Sequence, residues 1–554
     1  MIVLWTATAL ATSGFGPKIP DATFTGAETF TQDGGTQLWS RIERYADPDR
    51  SLFVKESFND ALTWTDADYA PWIATCFGSG TPHSSAFLLH AGPRADVAEG
   101  TPILFVPGAG DNGSRGFVTM ATRMDNAYRP VFALTFAHPH GDVLRQAEIV
   151  ADAIAVITAR TGAAQVDVVA HSKGGAAVAA YLSHTPGADW GRPDYEAVAT
   201  PYRGDVRRAV FIAAPLGGID TAFRWPNGNL FSLDADAALA PTSWSAYYPS
   251  GSAVFWDETD LIDQDFLASG ADYFPGQRQL LARQTAPLPG TQTWLDGYAL
   301  QLDWYTTYEG GLGFVSDSAG IDDAIAEGGD FLNRLAAQGV DPSVAIYLLA
   351  GSNPLMVNGD ADLRDLWSGA ATEADWRDLV ESIDGHGVPL TPTDAEIAGL
   401  ADGALVLGEV TGPSDGLVFV DSATRADALT ARGATVVESR VVDLSHLDLL
   451  YASPITGQLL IDEAAADPDL AWLDAVGARY AAADTLGWVE GVLADDTAGD
   501  DPTDDTGTPD PADDGPDAAA TPTGTRPCGS CDATGLPFGP WPLALLAAWA
   551  RRRR

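Results

Sequence analysis

The chain has 554 residues, 46% of them hydrophobic, enough for one large core or for two to three ordinary domains with non-globular ends. Its 31 Lys and Arg stand against 76 Asp and Glu, a formal charge of −45, which argues against nucleic acid or an anionic membrane surface as the main partner. Three cysteines are too few for a disulfide scaffold.

Residues 1–19 begin with the apolar run MIVLWTATALA and end among small residues. This is the pattern of a secretory signal without its basic start, the alternative being a buried first strand. Cys76 stands alone and reads as a small buried hydrophobe. From residue 101 the chain alternates. TPILFVPGAG (101–110) is an apolar strand ending in a glycine turn, and YRPVFALTFAH (128–138) is a second strand. Residues 142–162 place Val143, Ile149, Val150, Ala153, Ile154 and Ile157 at helical spacing, closed by Thr161-Gly162. VDVVA (166–170) is a strand and GGAAVAAYLSH (174–184) a helix; 207–218, 343–352, 403–412 and 435–444 read as further strands. Apolar strands alternating with amphipathic helices predict an α/β architecture, a mostly parallel sheet covered on both faces, over residues 20–490.

Between about 219 and 340 the alternation lapses, and Trp225, Trp244, Trp256, Trp294 and Trp304 gather with Gly and Pro. This is a cap inserted over the sheet edge. It is either a structural cap with its own small core or a lid whose aromatic residues suit a lipid-like ligand. The composition breaks again near residue 494. Residues 495–517 hold ten aspartates and no aromatic residue, which predicts a disordered, self-repelling linker spanning about 491–526. Residues 527–554 carry Cys528 and Cys531, an apolar stretch and four terminal arginines, a basic stop after an apolar run. A redox role for the C-x-x-C pair is rejected because proline and glycine surround it.

The densest chemistry lies in VDVVAHSKGGAAVAAYL. Strand, Ala170-His171-Ser172-Lys173-Gly174 and helix form a nucleophile elbow whose first glycine is replaced by alanine. Positions two before and two after the serine must be small because the turn is tight. Ser172 then opens a helix, where backbone N–H groups favour developing negative charge. A hydroxyl needs a base to take its proton. Of eight histidines, His446, in VVDLSHLDLL after the final strand, is the one in place for that role. His83 and His90 are surface or core residues. His138 and His140 border the cleft, and His171 is directed into packing. His184 ends a helix, where its charge favours the dipole, and His386 sits in a glycine turn. Asp415, in SDGLVFVDSA, is the carboxylate that orients the base, with Asp360, Asp362 and Asp421 as rivals. The glycine-rich turn PGAGDNG (107–113) and the residue after the serine supply the oxyanion donors, the amides of Ala109 and Lys173.

At these residues the chain resembles bacterial triacylglycerol lipases of the α/β-hydrolase superfamily. The shared features are the glycine turn, the A-H-S-x-G-G elbow, IAAPLGG on the next strand, SDGLV and S-H-L-D-L-L, over residues 101–218 and 343–451. The chain departs in Pro107 and in the long insertion. The resemblance implies an α/β-hydrolase fold and hydrolysis of carboxylic esters, acylglycerols or other lipid-like esters, without an organic cofactor or catalytic metal. Structural calcium in some relatives maps to Asp448, but the accompanying position is unmatched and calcium is not carried over. The acid-rich NGDADLRD (358–365) reads as a solvated loop. The last 28 residues resemble myxobacterial C-terminal sorting tails, although reading Cys-Gly-Ser-Cys, which implies export and retention at the cell surface with membrane contact through the tail. Two other readings stand beside this one. The first is an esterase or polyester depolymerase without lipid preference, and the second a non-catalytic surface-binding protein on a hydrolase scaffold.

Overall fold

The computed structural model describes residues 19–25, 39–46, 75–79, 82–97, 99–113, 116–219, 276, 279–282, 292–293, 325–326, 328–353, 372–382, 384–385, 388–389, 393–402, 405–406 and 414–494. Most of the signal segment and cap, Asp360, Asp362, His386, the acidic linker beyond residue 494 and the tail with Cys528 and Cys531 lie outside them.

Among the described residues nine strands form the main sheet: β1 (Ala22–Phe24), β2 (Arg41–Tyr45), β3 (Phe87–Ala91), β4 (Ile103–Val106), β5 (Val131–Phe136), β6 (Val166–His171), β7 (Val206–Ile212), β8 (Ala345–Gly351) and β9 (Thr435–Val442). Their order is β1-β2-β3-β5-β4-β6-β7-β8-β9. The pairings from β1 to β5 by way of β2 and β3 are antiparallel, and every pairing from β5 onward is parallel. The predicted strands at 101–110, 128–138, 166–170, 207–218, 343–352 and 435–444 are all present. The one expected at 403–412 differs. Its described part, Leu405–Val406, pairs with Gln292–Thr293 outside the main sheet.

Because successive strand residues face opposite sides, each apolar strand feeds two cores. Leu104, Val168 and Ala170 meet α2 (Val143–Thr161), α3 (Lys173–Ser183) and α4 (Phe331–Gln338) on one face. Phe105, Val169 and Val210 meet the other layer. It comprises α1 (Val118–Asn126), α5 (Pro454–Ala466), α6 (Leu473–Ala483) and α7 (Thr485–Leu493). α2 begins where Asp142 accepts from the N–H groups of Leu144 (2.9 Å) and Arg145 (3.1 Å), and stops at Gly162 with φ 73°. α4 lies within the expected insertion, yet it packs Phe331, Leu332 and Leu335 into the first core.

The chain leaves β7 at Ile219 and returns beside it. Ile219 N–H donates to Leu280 O (2.9 Å), and Ala282 N–H donates to Ile219 O (2.8 Å). Gln279 then locks this neck to the start of α2, accepting from Val143 N–H (2.7 Å) and donating to Asp142 Oδ2 (3.1 Å). At the opposite end of the sheet the last packed turn is clasped by arginines. Arg129 donates to Leu493 O (2.6 Å) and Arg208 to Ala494 O (2.6 Å), while Arg129 and Arg207 both bind the fully buried Asp167 near the start of β6.

Candidate active site

Ser172 follows β6 directly and opens α3 with φ 52° and ψ −132°, a conformation that side-chain-bearing residues seldom adopt. Its N–H donates to Ile212 O (2.9 Å), and its carbonyl accepts from Gly175 N–H (2.8 Å). The two glycines make the turn possible. A Cβ on Gly174 would lie 2.3 Å from Pro107 O, and one on Gly175 would lie 2.5 Å from Ala214 Cβ. Ser172 is half-buried amid neighbours that are almost all buried.

His446 follows β9 and is buried; Asp415, in the loop between Ser414 and Phe419, is fully buried. His446 Nδ1 lies 2.8 Å from Asp415 Oδ2, and His446 N–H donates to Asp415 O at 2.9 Å. The other carboxylate oxygen accepts from Leu417 N–H (3.0 Å) and Val418 N–H (2.8 Å). Those bonds hold the acid as an acceptor and leave Nδ1 as the protonated ring nitrogen. The rival Asp421 is exposed on the short helix Val420–Ala423. Gly351 makes room for the pair, since a Cβ there would lie 2.2 Å from Leu444 O and 2.8 Å from Asp415 Cβ.

Ala109 lies half-buried in the turn after β4. Its neighbour Gly108 abuts the serine so closely that a Cβ there would be 2.8 Å from Ser172 Cβ. Lys173 is the first residue of α3, and its side chain runs inward, with the ammonium on Gln146 Oε1. The histidines expected to border the cleft are buried. His138 Nδ1 accepts from His140 N–H (3.2 Å), and His140 stands beside Gly110. Burial first, then the neighbouring His138 and Lys173, hold the His140 imidazole well below the usual range.

His184 departs from expectation. It caps α3, but burial lowers its pKa and its Nδ1 accepts from Trp190 Nε1 (2.8 Å), so a neutral ring rather than a dipole-paired cation ends the helix. His90 is a core residue whose pKa burial pushes down to about 3. His171 is packed inward as expected, yet what it packs against is His446: the ring centroids are 4.6 Å apart. Asp448, two residues after His446, accepts from Tyr480 Oη (2.8 Å), and burial raises its pKa to about 6.

The mostly parallel strand order with helices on both faces and the strand–turn–helix elbow at Ser172 make this an α/β-hydrolase fold. No family model matches the sequence, and no curated protein matches it. Solved structures similar to this chain include the mature form of the lipase BlEst2 from Bacillus licheniformis, 15% identical, covering 66% of this chain and 92% of that one at a TM-score of 0.28. A gene product of Listeria innocua is 12% identical, covering 64% and 90% at 0.26. A thermostable carboxyl esterase from Bacillus coagulans is 13% identical, covering 48% and 76% at 0.24.

Proposed function

We propose that the chain is a serine hydrolase that cleaves carboxylic esters, with Ser172 as nucleophile, His446 as base and Asp415 as the acid that orients it. The observation that carries this reading is the 2.8 Å bond between His446 Nδ1 and a fully buried Asp415, next to an elbow that holds Ser172 at φ 52°. Ser172 Oγ attacks the ester carbonyl carbon while His446 Nε2 takes its proton. Asp415 fixes the tautomer and stabilises the imidazolium. The amides of Ala109 and Lys173 receive the oxyanion, each worth roughly 3–4 kcal/mol in the transition state. His446 then protonates the leaving alcohol, and water activated by the same nitrogen hydrolyses the acyl-enzyme.

Acylglycerols or other lipid-like esters are the substrate class we favour, supported by the five tryptophans between residues 219 and 340. Export and retention at a cell surface through residues 527–554 belong to the same proposal, supported by the arginine end and the aspartate-rich segment before it. The full chain should hydrolyse p-nitrophenyl esters, with rates rising from short toward long acyl chains, and a fluorophosphonate should label Ser172 and fail to label Ser172→Ala. Labelling at another serine refutes the assignment. Rates that fall steadily with chain length refute the lipid preference and leave an esterase.

A further inference from the structure

His171 is the last residue of β6, and the strand ladder and the Ser172 N–H bond to Ile212 O hold its backbone rigid. Its ring is buried, and Nε2 lies 3.1 Å from the backbone carbonyl oxygen of His446. A carbonyl accepts, so Nε2 carries the proton and donates; Nδ1 is then the bare nitrogen. That atom has no hydrogen-bond partner among the described residues, and it faces Gly108, where a Cβ would lie 3.3 Å away.

We propose that His171 is a positioning residue for the base: through its bond to the His446 carbonyl and its ring contact it sets where the imidazole stands relative to Ser172. This rests on the function proposed above. Without His171, His446 is tied among the described residues to Asp415 alone, by its N–H and its Nδ1. Both anchors lie on the acid's side, and neither refers the base to the nucleophile. The His171 bond supplies that reference, because His171 and Ser172 are consecutive. The 4.6 Å ring contact, at an interplanar angle of 48°, closes the space into which the imidazole would otherwise swing. The arrangement also requires an uncharged neighbour, since His446 becomes cationic during attack. Burial and the His446 ring hold His171 well below its usual pKa, so it stays neutral when that charge appears.

The test compares the full chain with His171→Phe, which keeps a ring and loses the donor, and His171→Gln, whose amide N–H reaches about as far as Nε2. Phe should lower kcat on p-nitrophenyl butyrate about tenfold, the worth of one neutral hydrogen bond, with KM changed by less than about twofold. The low-field proton resonance of the His446–Asp415 pair should broaden or move in the same variant. Gln should recover most of both. The resonance does not depend on turnover, so it tests His171 even if the wild type neither hydrolyses the ester nor takes up fluorophosphonate, results that would instead sink the ester-hydrolase reading. Wild-type kcat and resonance in His171→Phe overturn the proposal. So does a Gln variant as impaired as Phe, or one that has lost its near-ultraviolet circular dichroism, because the residue would then be a packing element.

Discussion

Replacing Asp415 by Asn separates the chemistry from the fold. The carboxylate makes two kinds of bond: Oδ1 accepts from the N–H groups of Leu417 and Val418, and Oδ2 faces His446 Nδ1 at 2.8 Å. An asparagine satisfies both N–H groups with its carbonyl oxygen, so the amide nitrogen must face the ring. Nδ1 then has to accept, and the proton moves to Nε2, the nitrogen that should take the serine proton. The base is thus held in the wrong tautomer in a site that is otherwise intact. Loss of the correct tautomer lowers kcat by about 10⁴, or about 5.6 kcal/mol of transition-state stabilisation at about 1.4 kcal/mol per factor of ten. Stability should change by only about 1 kcal/mol, because every buried polar atom keeps a partner. Steady-state turnover of a soluble ester and a urea melt measure the two quantities. Asp421→Asn, on an exposed position, serves as the control and should alter neither. An Asp415→Asn enzyme within about tenfold of wild type, or one whose activity falls only in step with its stability, refutes the role assigned to the acid.

Gly174→Ala would push a methyl to 2.3 Å from Pro107 O and 2.8 Å from Val106 O, both backbone atoms that cannot turn aside. A urea melt should show a loss of about 1–3 kcal/mol together with lower kcat, since Pro107 begins the turn proposed to supply an oxyanion donor; an unchanged melt contradicts the packing argument. Asp448 has a folded pKa of about 6 against 3.8 when exposed, so its proton is bound more tightly in the folded chain. Its contribution to stability is then greatest below about pH 4 and is lost as pH rises through 6, by up to about 3 kcal/mol. Asp448→Asn, which can still accept from Tyr480, should therefore gain stability over wild type at pH 8 and match it at pH 4, as denaturant melts at both pH values would read. Deleting residues 495–554 should leave Tm and kcat on a soluble ester unchanged. Deleting from Thr485 onward should unfold the chain, because Leu486, Val489 and Leu493 are buried and each contributes about 1.5–3 kcal/mol.

The parts of the fold that could be read from the sequence are those whose period is strong. β4 to β7, α2 and α3 announce themselves because a doubly covered strand is apolar throughout and a helix closes on a glycine, as at Gly162. β2 was not legible. RIERY carries charges at 41, 43 and 44, and its strand character comes from pairing with β1 and β3 while Ile42 and Tyr45 are buried, its charges being matched by Asp96 and Arg160. The short Leu405–Val406 strand misled for the opposite reason: an apolar run has no address, and its partner is Gln292–Thr293. In the candidate site, Ser172, Asp415 and His446 were chosen from local context, and the structure pairs the last two. His171 was not. Its neighbour in the fold is 275 residues away, and the only trace in the sequence is that a histidine precedes the serine. Gly351 is similar, an ordinary strand-end glycine until the Asp415 loop crosses it.

The site illustrates where the stability of a large sheet is used. Ser172, Asp415 and His446 come from three distant stretches of chain, and the serine sits in backbone geometry that costs about 1–3 kcal/mol. A short segment could not hold that conformation by itself, and it persists because the surroundings over-determine it. Ser172 is bonded on one side to β7 and on the other to its own helix, and Gly174 and Gly175 let the helix sit hard against β4 and Ala214. Asp415 is similarly bonded by two backbone N–H groups, and the His446 backbone by the Asp415 carbonyl and by His171 Nε2. Each of the three side chains proposed to react is thus positioned by backbone groups whose own places are set by the parallel ladder from β4 to β9. Substitutions at those supports should therefore change rate before they change the fold, whereas the arginine clasp around Asp167, at the other end of β6 and roughly 16 Å from Ser172 along the strand, should do the reverse.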